Sequence, residues 1–264
     1  MGGFAFEKYE GLGNDFIVVE VEREAGADIT PERARALCDR RFGIGADGVL
    51  LVSPADNPAH AARMRVLNSD GSTPEMCGNG LRCVALHLAR KRAVAALLFS
   101  VETDAGVRRS FVEGTDVTVD MGAVRWLGDQ EIDLDGEKIK VALADAGNPH
   151  AILLELPSDA EIARVGPRLA THAAFPRGTN VEFARVGDEG IDLVVWERGA
   201  GLTMACGTGA CATVAVACAK KLARYGTPIV VRLPGGPLTI TVDEASAATR
   251  MRGPARHVFS GRWP

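Results

Sequence analysis

The chain carries one motif twice, about half its length apart. The segments MRVLNSDGSTPEMCGNG (64–80) and LVVWERGAGLTMACGTG (193–209) superpose without a gap. Each begins with an apolar, strand-like run, has a polar residue nine positions before a cysteine, and ends on Cys-Gly-x-Gly before a helix-like run. The repeat predicts two similar halves, with Cys77 and Cys206 each at the start of a helix. If the halves face each other about a pseudo-twofold axis, the two cysteines would meet across a cleft.

Short β-branched runs recur along the chain and predict a sheet-rich fold. The predicted strands cover residues 16–22, 48–52, 64–68, 97–103, 116–122, 138–144, 151–156, 180–186, 191–197, 227–233 and 238–244. The Pro-Gly-Gly sequence at 234–236 predicts a hairpin turn between the last two of these strands.

Helical patterns are fewer than strand patterns. One helix is predicted over 30–42, with Thr30 as its N-cap. Another is predicted over 158–172, interrupted near Gly166-Pro167. The run after Cys206 is small and apolar throughout, which predicts burial on every side. The run after Cys77 has an apolar stripe, with basic residues and His87 on its other side.

Composition excludes several classes of protein. Hydrophobic residues make up 47% and charged residues 24% of the chain, which is enough to build a sizeable core. The net charge of −4 argues against a nucleic-acid or membrane partner. No run approaches the roughly 18 to 20 apolar residues of a membrane-spanning helix. The N-terminus lacks the basic region of a signal peptide, so we expect a cytoplasmic, reducing setting without a disulfide framework.

Cys77 and Cys206 could be buried structural residues, metal ligands, disulfide partners or catalytic thiols. No two of the six cysteines have CxxC spacing. A thiol at a helix N-terminus lies near open backbone N–H groups and the positive end of the helix dipole, which should lower its pKa from about 8.5. The same amides form an anion site. Two such units suit removal of a proton from one face of a carbon and delivery to the other. No motif for pyridoxal phosphate, a P-loop or a dinucleotide is evident, so we expect neither a cofactor nor a metal.

Several motifs resemble those of the diaminopimelate epimerase family. They are CGNG (77–80), the cysteine segment 197–212, GLGNDFIVV (11–19), GIGADGVLLV (43–52), NSDGS (68–72), GNPHA (147–151) and FPRGTNVEF (175–183). The resemblance covers essentially the whole chain. It implies an α/β fold of the α+β type, with two pseudo-symmetric halves. In each half a mixed, mostly antiparallel sheet would wrap around a central helix. The expected domains are 1–122, completed by 255–264, and 123–254.

The resemblance also implies an activity and a set of site residues. The activity is interconversion of LL- and meso-diaminopimelate without pyridoxal phosphate, in lysine and peptidoglycan precursor synthesis, by a homodimer. Cys77 and Cys206 would be the acid/base pair. Arg198 would bind the distal carboxylate, while Glu197 and His150 would hold the substrate ammonium and tune the thiols. The family's substrate-binding positions match Asn14, Asn68, Gly78, Asn79, Asn148, Asn180, Glu197, Arg198, Gly207 and Thr208.

Three other functions compete with this interpretation. A racemase of the same fold could act on proline, hydroxyproline or a basic amino acid, although proline enzymes usually have Cys-Gly-His where this chain has Cys77-Gly78-Asn79. The two cysteines could instead bind a metal or act in redox chemistry. An inactive binding protein is the third alternative, and the presence of both cysteines argues against it.

Overall fold

The structure is a computed structural model that describes residues 3–22, 29–74, 77–94 and 96–264. The chain divides into two compact units. Unit 1 consists of Met1–Val119 with Gly253–Pro264, and unit 2 consists of Asp120–Arg252.

Unit 1 combines one sheet with two helices. In chain order its elements are β1 (Phe4–Gly11), β2 (Asn14–Glu20), α1 (Pro31–Cys38), β3 (Gly48–Ser53), β4 (Ala62–Asn68), α2 (Gly78–Lys91), β5 (Ala96–Thr103), β6 (Gly106–Glu113) and the first half of β7 (Asp116–Ala123). The last strand of the chain, β17 (Arg256–Trp263), pairs with β1. The β2–β3 and β4–β5 pairs are parallel, and the other neighbours along the sheet are antiparallel.

Unit 2 has a similar arrangement of strands and helices. Its elements are β8 (Arg125–Leu134), β9 (Glu137–Asp145), β10 (Pro149–Leu153), α3 (Asp159–Ala170), β11 (Asn180–Gly187), β12 (Gly190–Glu197), β13 (Gly201–Leu202), α4 (Gly207–Ala219), β14 (Ile229–Leu233), β15 (Gly236–Val242) and most of β16 (Ala248–Pro254). The β10–β11 and β12–β14 pairs are parallel, and the remaining pairs are antiparallel.

The two units share one topology. The strands are counted along each sheet from β17 in unit 1 and from β8 in unit 2, leaving out the two-residue β13. In each unit a helix then connects the third and fourth strands, and a cysteine-capped helix connects the fifth and sixth. The prediction of two similar halves is therefore confirmed at the level of strand order and direction. The fold is α+β and sheet-rich, as the sequence predicts.

Several of the sequence predictions need correction. Helix α1 ends at Cys38 rather than 42, because Asp39 Oδ1 accepts hydrogen bonds from the N–H groups of Arg41 and Phe42 and turns the backbone. Strand β10 ends at Leu153 rather than 156. Six strands were not predicted from the sequence: β1, β6, β8, β13, β16 and β17.

Helix α3 is continuous, so the predicted interruption near Pro167 is wrong. A proline disfavours a helical conformation at the preceding residue by steric clash, and Gly166, without a Cβ, relieves much of that clash. The helix also buries Ile162, Val165 and Leu169 in the core of unit 2, which holds it together across the missing N–H group.

Helix α2 lies deeper in its unit than its pattern predicts. Arg82 and His87 are buried together with the apolar stripe, whereas Arg90 and Lys91 at the end of the helix are exposed. Arg82 Nε donates to Pro254 O at 3.2 Å. Helix α4 is buried from Gly207 to Cys218, as predicted. Among the described residues, none of the helices is long and apolar enough to cross a membrane.

Candidate active site

In unit 1 the candidate site begins at the first turn of α2. Cys77 is the N-cap of this helix, in extended conformation, and its Sγ accepts a hydrogen bond from Gly80 N at 3.3 Å. A Cβ on Gly80 would lie 2.9 Å from Leu50 Cδ2 and 3.0 Å from Cys77 Sγ, so a larger residue there would force one of these side chains to shift. Gly78 is the first helical residue. The sulfur therefore sits at a helix N-terminus, where open amides favour an anion.

Two asparagines predicted to bind substrate meet beside this helix start. Asn79 Nδ2 donates to Asn14 Oδ1 at 3.2 Å, and Asn14 Nδ2 donates to Asp47 Oδ2 at 2.7 Å. Asp47 in turn accepts from Arg40 Nη2 at 2.7 Å. Because an ionised carboxylate only accepts hydrogen bonds, Asp47 fixes which end of the Asn14 amide points towards Asn79.

Asn68 lies at the end of β4, in the turn formed by NSDGS. Its side-chain Nδ2 donates to Ser72 Oγ at 3.0 Å, and its backbone N–H donates to Ser72 O at 2.8 Å. In unit 1 the structure thus groups Asn14 and Asn79 with Cys77, and it holds Asn68 in a turn.

In unit 2 the matching site begins at the first turn of α4. Cys206 is the N-cap, and its Sγ accepts from Gly209 N at 3.3 Å. Thr208 Oγ1 lies 3.5 Å from the same sulfur, and Gly207 is the first helical residue. Cys206 is only 5% exposed. The predicted placement of a cysteine at a helix N-terminus is confirmed in both units.

A line of polar side chains leads away from the Cys206 helix start. Asn148 Nδ2 donates to Thr208 Oγ1 at 3.4 Å, and Asn148 Oδ1 lies 2.8 Å from His150 Nε2. His150 Nδ1 lies 2.7 Å from Glu182 Oε1. Both ring nitrogens of His150 are therefore engaged within the unit, and the ring is buried. His150 is connected to Thr208, beside Cys206, through Asn148.

The other predicted residues of unit 2 lie at the ends of β11 and β12. Asn180 Oδ1 accepts from Arg198 N at 3.0 Å, and Asn180 Nδ2 donates to Pro149 O at 3.1 Å. Asn180 thus ties the start of β10 to the end of β12 and sets the position of Arg198. Arg198 Nη1 donates to Arg177 O at 3.2 Å. Glu197 Oε1 accepts from Thr203 Oγ1 at 2.5 Å.

The electrostatics of Cys206 differ from the prediction. Burial raises the pKa of the Cys206 thiol well above its usual value, and the nearby carboxylates of Glu197 and Glu182 raise it further. Hydrogen bonds from Thr208 and Gly209 N–H work in the opposite direction but are outweighed. The prediction that a helix N-terminus lowers the thiol pKa is therefore wrong for Cys206, because loss of solvent and two like charges exceed the effect of the helix.

Burial also raises the pKa of Glu197, and the neighbouring Glu182 adds to that rise. Hydrogen bonds with Thr203 and Cys206 oppose it. Glu182 thus disfavours the ionisation of both Glu197 and Cys206.

Sequence reasoning missed Asp47 and Glu182. Asp47 follows the glycines of GIGADG, and only the folded turn brings it to Asn14. Glu182 could have been found from the sequence pattern. In the alternating strand NVEFARV it shares a face with Asn180, which was predicted to bind substrate. No group of three or more side chains in the described part of the chain has the arrangement of a metal site.

Solved structures place this fold in a class. The structure is similar to a probable proline racemase from Agrobacterium radiobacter K84, with a TM-score of 0.78 and 17% identity, covering 98% of this chain and 92% of that one. It is also similar to a phenazine biosynthesis protein of the PhzF family from Bacillus anthracis, with a TM-score of 0.73, 14% identity and full coverage of both chains. The fold is that of a class of racemases, epimerases and related proteins.

Within that class, sequence comparison identifies the family. The family model for diaminopimelate epimerase matches residues 6–127 and 142–258. Diaminopimelate epimerases from Desulforudis audaxviator and Gloeothece citriformis are 43% and 40% identical to the chain, each match covering 98% of both sequences. The chain belongs to the diaminopimelate epimerase family, and it is an isomerase.

Proposed function

We propose that this chain interconverts LL- and meso-diaminopimelate by a two-base mechanism that uses Cys77 and Cys206 and no cofactor. Membership of the diaminopimelate epimerase family supports the substrate. The observation that carries the mechanism is the pair of cysteine-capped helices, each with a sulfur that accepts a hydrogen bond from the third residue of the helix.

The proposed reaction transfers one proton in each of two steps. The thiolate of Cys77 takes the α-hydrogen, and the electron pair of the broken C–H bond moves into the α-carboxylate. Cys206 then gives its thiol proton to the opposite face of the α-carbon, and its electron pair stays on sulfur. In the reverse direction the two cysteines exchange roles. This sequence requires the two sulfurs to approach opposite faces of the same carbon.

The α-hydrogen of an amino acid is very weakly acidic, so the charge that enters the carboxylate must be stabilised. Open amides at the starts of α2 and α4, with Asn79 and Thr208 beside them, are the proposed donors. Asn14 and Asn148 would position these groups. Binding energy from the distal part of the substrate would also help to hold the reacting carbon in place.

The distal end of the substrate carries a second carboxylate and an ammonium group. We assign Arg198 to that carboxylate, because its guanidinium can form two parallel hydrogen bonds, and Asn180 to holding Arg198 in place. Glu197 would bind the ammonium of the reacting centre and, with His150, tune the thiols. Asn68 would complete the substrate contacts.

The wider setting is also part of the proposal. We expect a homodimer that acts on a small molecule in the cytoplasm, without a nucleic-acid partner. The net charge of −4 supports the last point, because it offers no general attraction for a polyanion.

Exchange of the α-hydrogen in D2O tests the function. Wild-type protein should exchange and epimerise LL- and meso-diaminopimelate, and Cys77→Ser and Cys206→Ser should both lose nearly all activity. Cys218→Ser is the matched control, because this buried cysteine lies at the far end of α4, and it should retain activity.

Full activity in either Cys77→Ser or Cys206→Ser would overturn the two-base mechanism. Exchange of proline together with no exchange of diaminopimelate would overturn the substrate and favour a proline racemase.

A further inference from the structure

The shared topology of the two units allows residues to be compared between them. On the third strand of each sheet, Phe16 of β2 lies opposite Gly48 of the parallel neighbour β3, and His150 of β10 lies opposite Asn180 of β11. Phe16 and His150 therefore occupy matching positions, and both are buried.

The matching residue pairs differ in chemistry. Two residues further along the parallel neighbour, β3 has Leu50 and β11 has Glu182, and each side chain is 0% exposed. Unit 1 thus fills this position with Phe16 and Leu50, whereas unit 2 has His150 hydrogen-bonded to Glu182. Burying a carboxylate is unfavourable, and the apolar pair of unit 1 fills the matching place without that penalty. The polar pair therefore needs a reason beyond packing.

Glu182 is also incompletely satisfied. Its Oε1 is hydrogen-bonded to His150, but its Oε2 has no hydrogen-bond partner within the residues that the structure describes. An unsatisfied buried oxygen is destabilising, because it loses its hydrogen bonds to water and gains none in the protein. This makes a purely structural role for the carboxylate a poor explanation.

The hydrogen bonds that connect His150 to Cys206 all run from donor to acceptor in the direction of the cysteine. An amide oxygen only accepts, so His150 Nε2 donates to Asn148 Oδ1. The opposite end of the amide, Nδ2, then donates to Thr208 Oγ1. With its oxygen accepting this bond, the Thr208 hydroxyl can donate its own hydrogen to Cys206 Sγ at 3.5 Å. The contact of Glu182 with Nδ1 sets the orientation of the imidazole ring and thereby of the whole chain.

Glu182 also approaches the cysteine itself. A Cβ on Gly209 would lie 2.7 Å from Glu182 Oε1 and 3.3 Å from Cys206 Sγ, so both atoms border the same space at the start of α4. At the matching Gly80 the corresponding neighbours are Leu50 Cδ2 and the sulfur of the other cysteine. One cysteine-capped helix thus starts beside a carboxylate and the other beside a methyl group.

We propose that Glu182 is a positioning residue that makes the two cysteines unequal, by keeping a proton on the Cys206 sulfur between turnovers. Cys206 then begins the cycle as the acid. Other groups face the same sulfur. Glu197 of β12 favours the protonated thiol, as Glu182 does, whereas the Thr208 hydroxyl and the Gly209 N–H of α4 favour the thiolate. His150 of β10 lies behind Glu182. The proposal depends on the proposed function in one respect: it takes the proton on Cys206 to be the one that is delivered to the substrate.

Thiolate titration of Cys206 tests the proposal without any substrate. The ultraviolet absorbance of thiolate is followed against pH in Cys77→Ser, and the signal of Cys77→Ser/Cys206→Ser is subtracted to remove the other cysteines. Adding Glu182→Gln should move the Cys206 midpoint down by about one pH unit, because one nearby negative charge is lost. Glu182→Asp, which keeps the charge, should restore much of the difference.

Glu161→Gln is the matched control, because it removes a carboxylate that pairs with Arg164 on the surface helix α3. It should leave the midpoint unchanged. A midpoint that does not move in folded Glu182→Gln, or that moves equally in Glu161→Gln, would overturn the proposal.

Glu182→Leu, which copies unit 1, replaces the Gln variant if that variant does not fold. If neither variant folds, the carboxylate has a structural role and the proposal is wrong. Epimerase activity is assayed separately. Loss of the proposed function would appear as no α-hydrogen exchange in wild type, whatever the titration shows.

Discussion

At the scale of single residues, the surroundings of Cys206 decide its chemistry more than its position on a helix does. The helix start supplies a hydrogen bond from Gly209 N–H, which favours thiolate. Burial and the carboxylates of Glu197 and Glu182 favour the thiol and are the larger effects. A cysteine that keeps its proton at neutral pH suits the role of acid, provided that its partner cysteine supplies the base.

The raised pKa of Glu197 predicts a pH-dependent contribution to stability. Its folded-state pKa lies above the unfolded value of 4.5, so the native state binds more protons and stability falls as pH rises through and above that value. Glu197→Gln removes the ionisation. Its melting temperature should be close to that of wild type below pH 4.5 and should exceed it increasingly at higher pH. Thermal unfolding across a pH series measures this, and a difference that stays constant with pH would contradict it.

At the scale of secondary-structure elements, α3 shows how packing overrides a local signal. Gly166-Pro167 predicts a break, yet the helix runs from Asp159 to Ala170. Gly166 packs against the side chain of Trp196, the residue that precedes Glu197 on β12. The contact therefore connects the helix to the strand that carries part of the candidate site.

Gly166→Ala tests that contact. The new Cβ would lie 3.0 Å from three atoms of Trp196, which is too close for an ordinary contact. Helix propensity alone would stabilise the variant by about 1 kcal/mol, whereas overpacking destabilises by about 1 to 3 kcal/mol. We expect a net loss of stability in denaturant unfolding. Ala163→Gly, at an exposed position of the same helix, is the control and measures propensity without the clash. A gain in stability for Gly166→Ala would show that Trp196 moves aside without penalty.

At the scale of the whole molecule, one topology occurs twice with different side chains at the matching positions. Asn14 matches Asn148, and each contacts the second residue of its cysteine-capped helix. Their amides point in opposite senses, because Asp47 accepts from Asn14 whereas His150 donates to Asn148. The backbone topology is the same in both units, whereas the polar groups near the two cysteines differ.

A cofactor-free mechanism makes a prediction for the intact protein. Dialysis against a chelator should leave epimerase activity unchanged, because both proton transfers use cysteine side chains. The assay compares α-hydrogen exchange before and after dialysis, with metal content measured in the same samples. Loss of activity that is restored by zinc at one ion per chain would favour the metal-binding alternative.

Local features of this protein could be predicted from its sequence. The N-cap positions of Cys77 and Cys206 follow from Cys-Gly-x-Gly before an apolar run, and the repeat itself predicts two halves of one design. The burial of α4 follows from its uniformly small, apolar residues. Each of these depends on neighbours within one or two turns or on a pattern visible along the chain.

Contacts between distant segments required the tertiary structure. Glu182 meets His150 because β10 and β11 pair in parallel, and the strand pattern alone does not give that register. The raised pKa of Cys206 depends on burial and on charges from two other strands, neither of which the helix-start motif contains. The sequence therefore determined where the two cysteines lie on their helices. Only the fold decided how the groups around Cys206 set its protonation, because burial and charge act through space rather than along the chain.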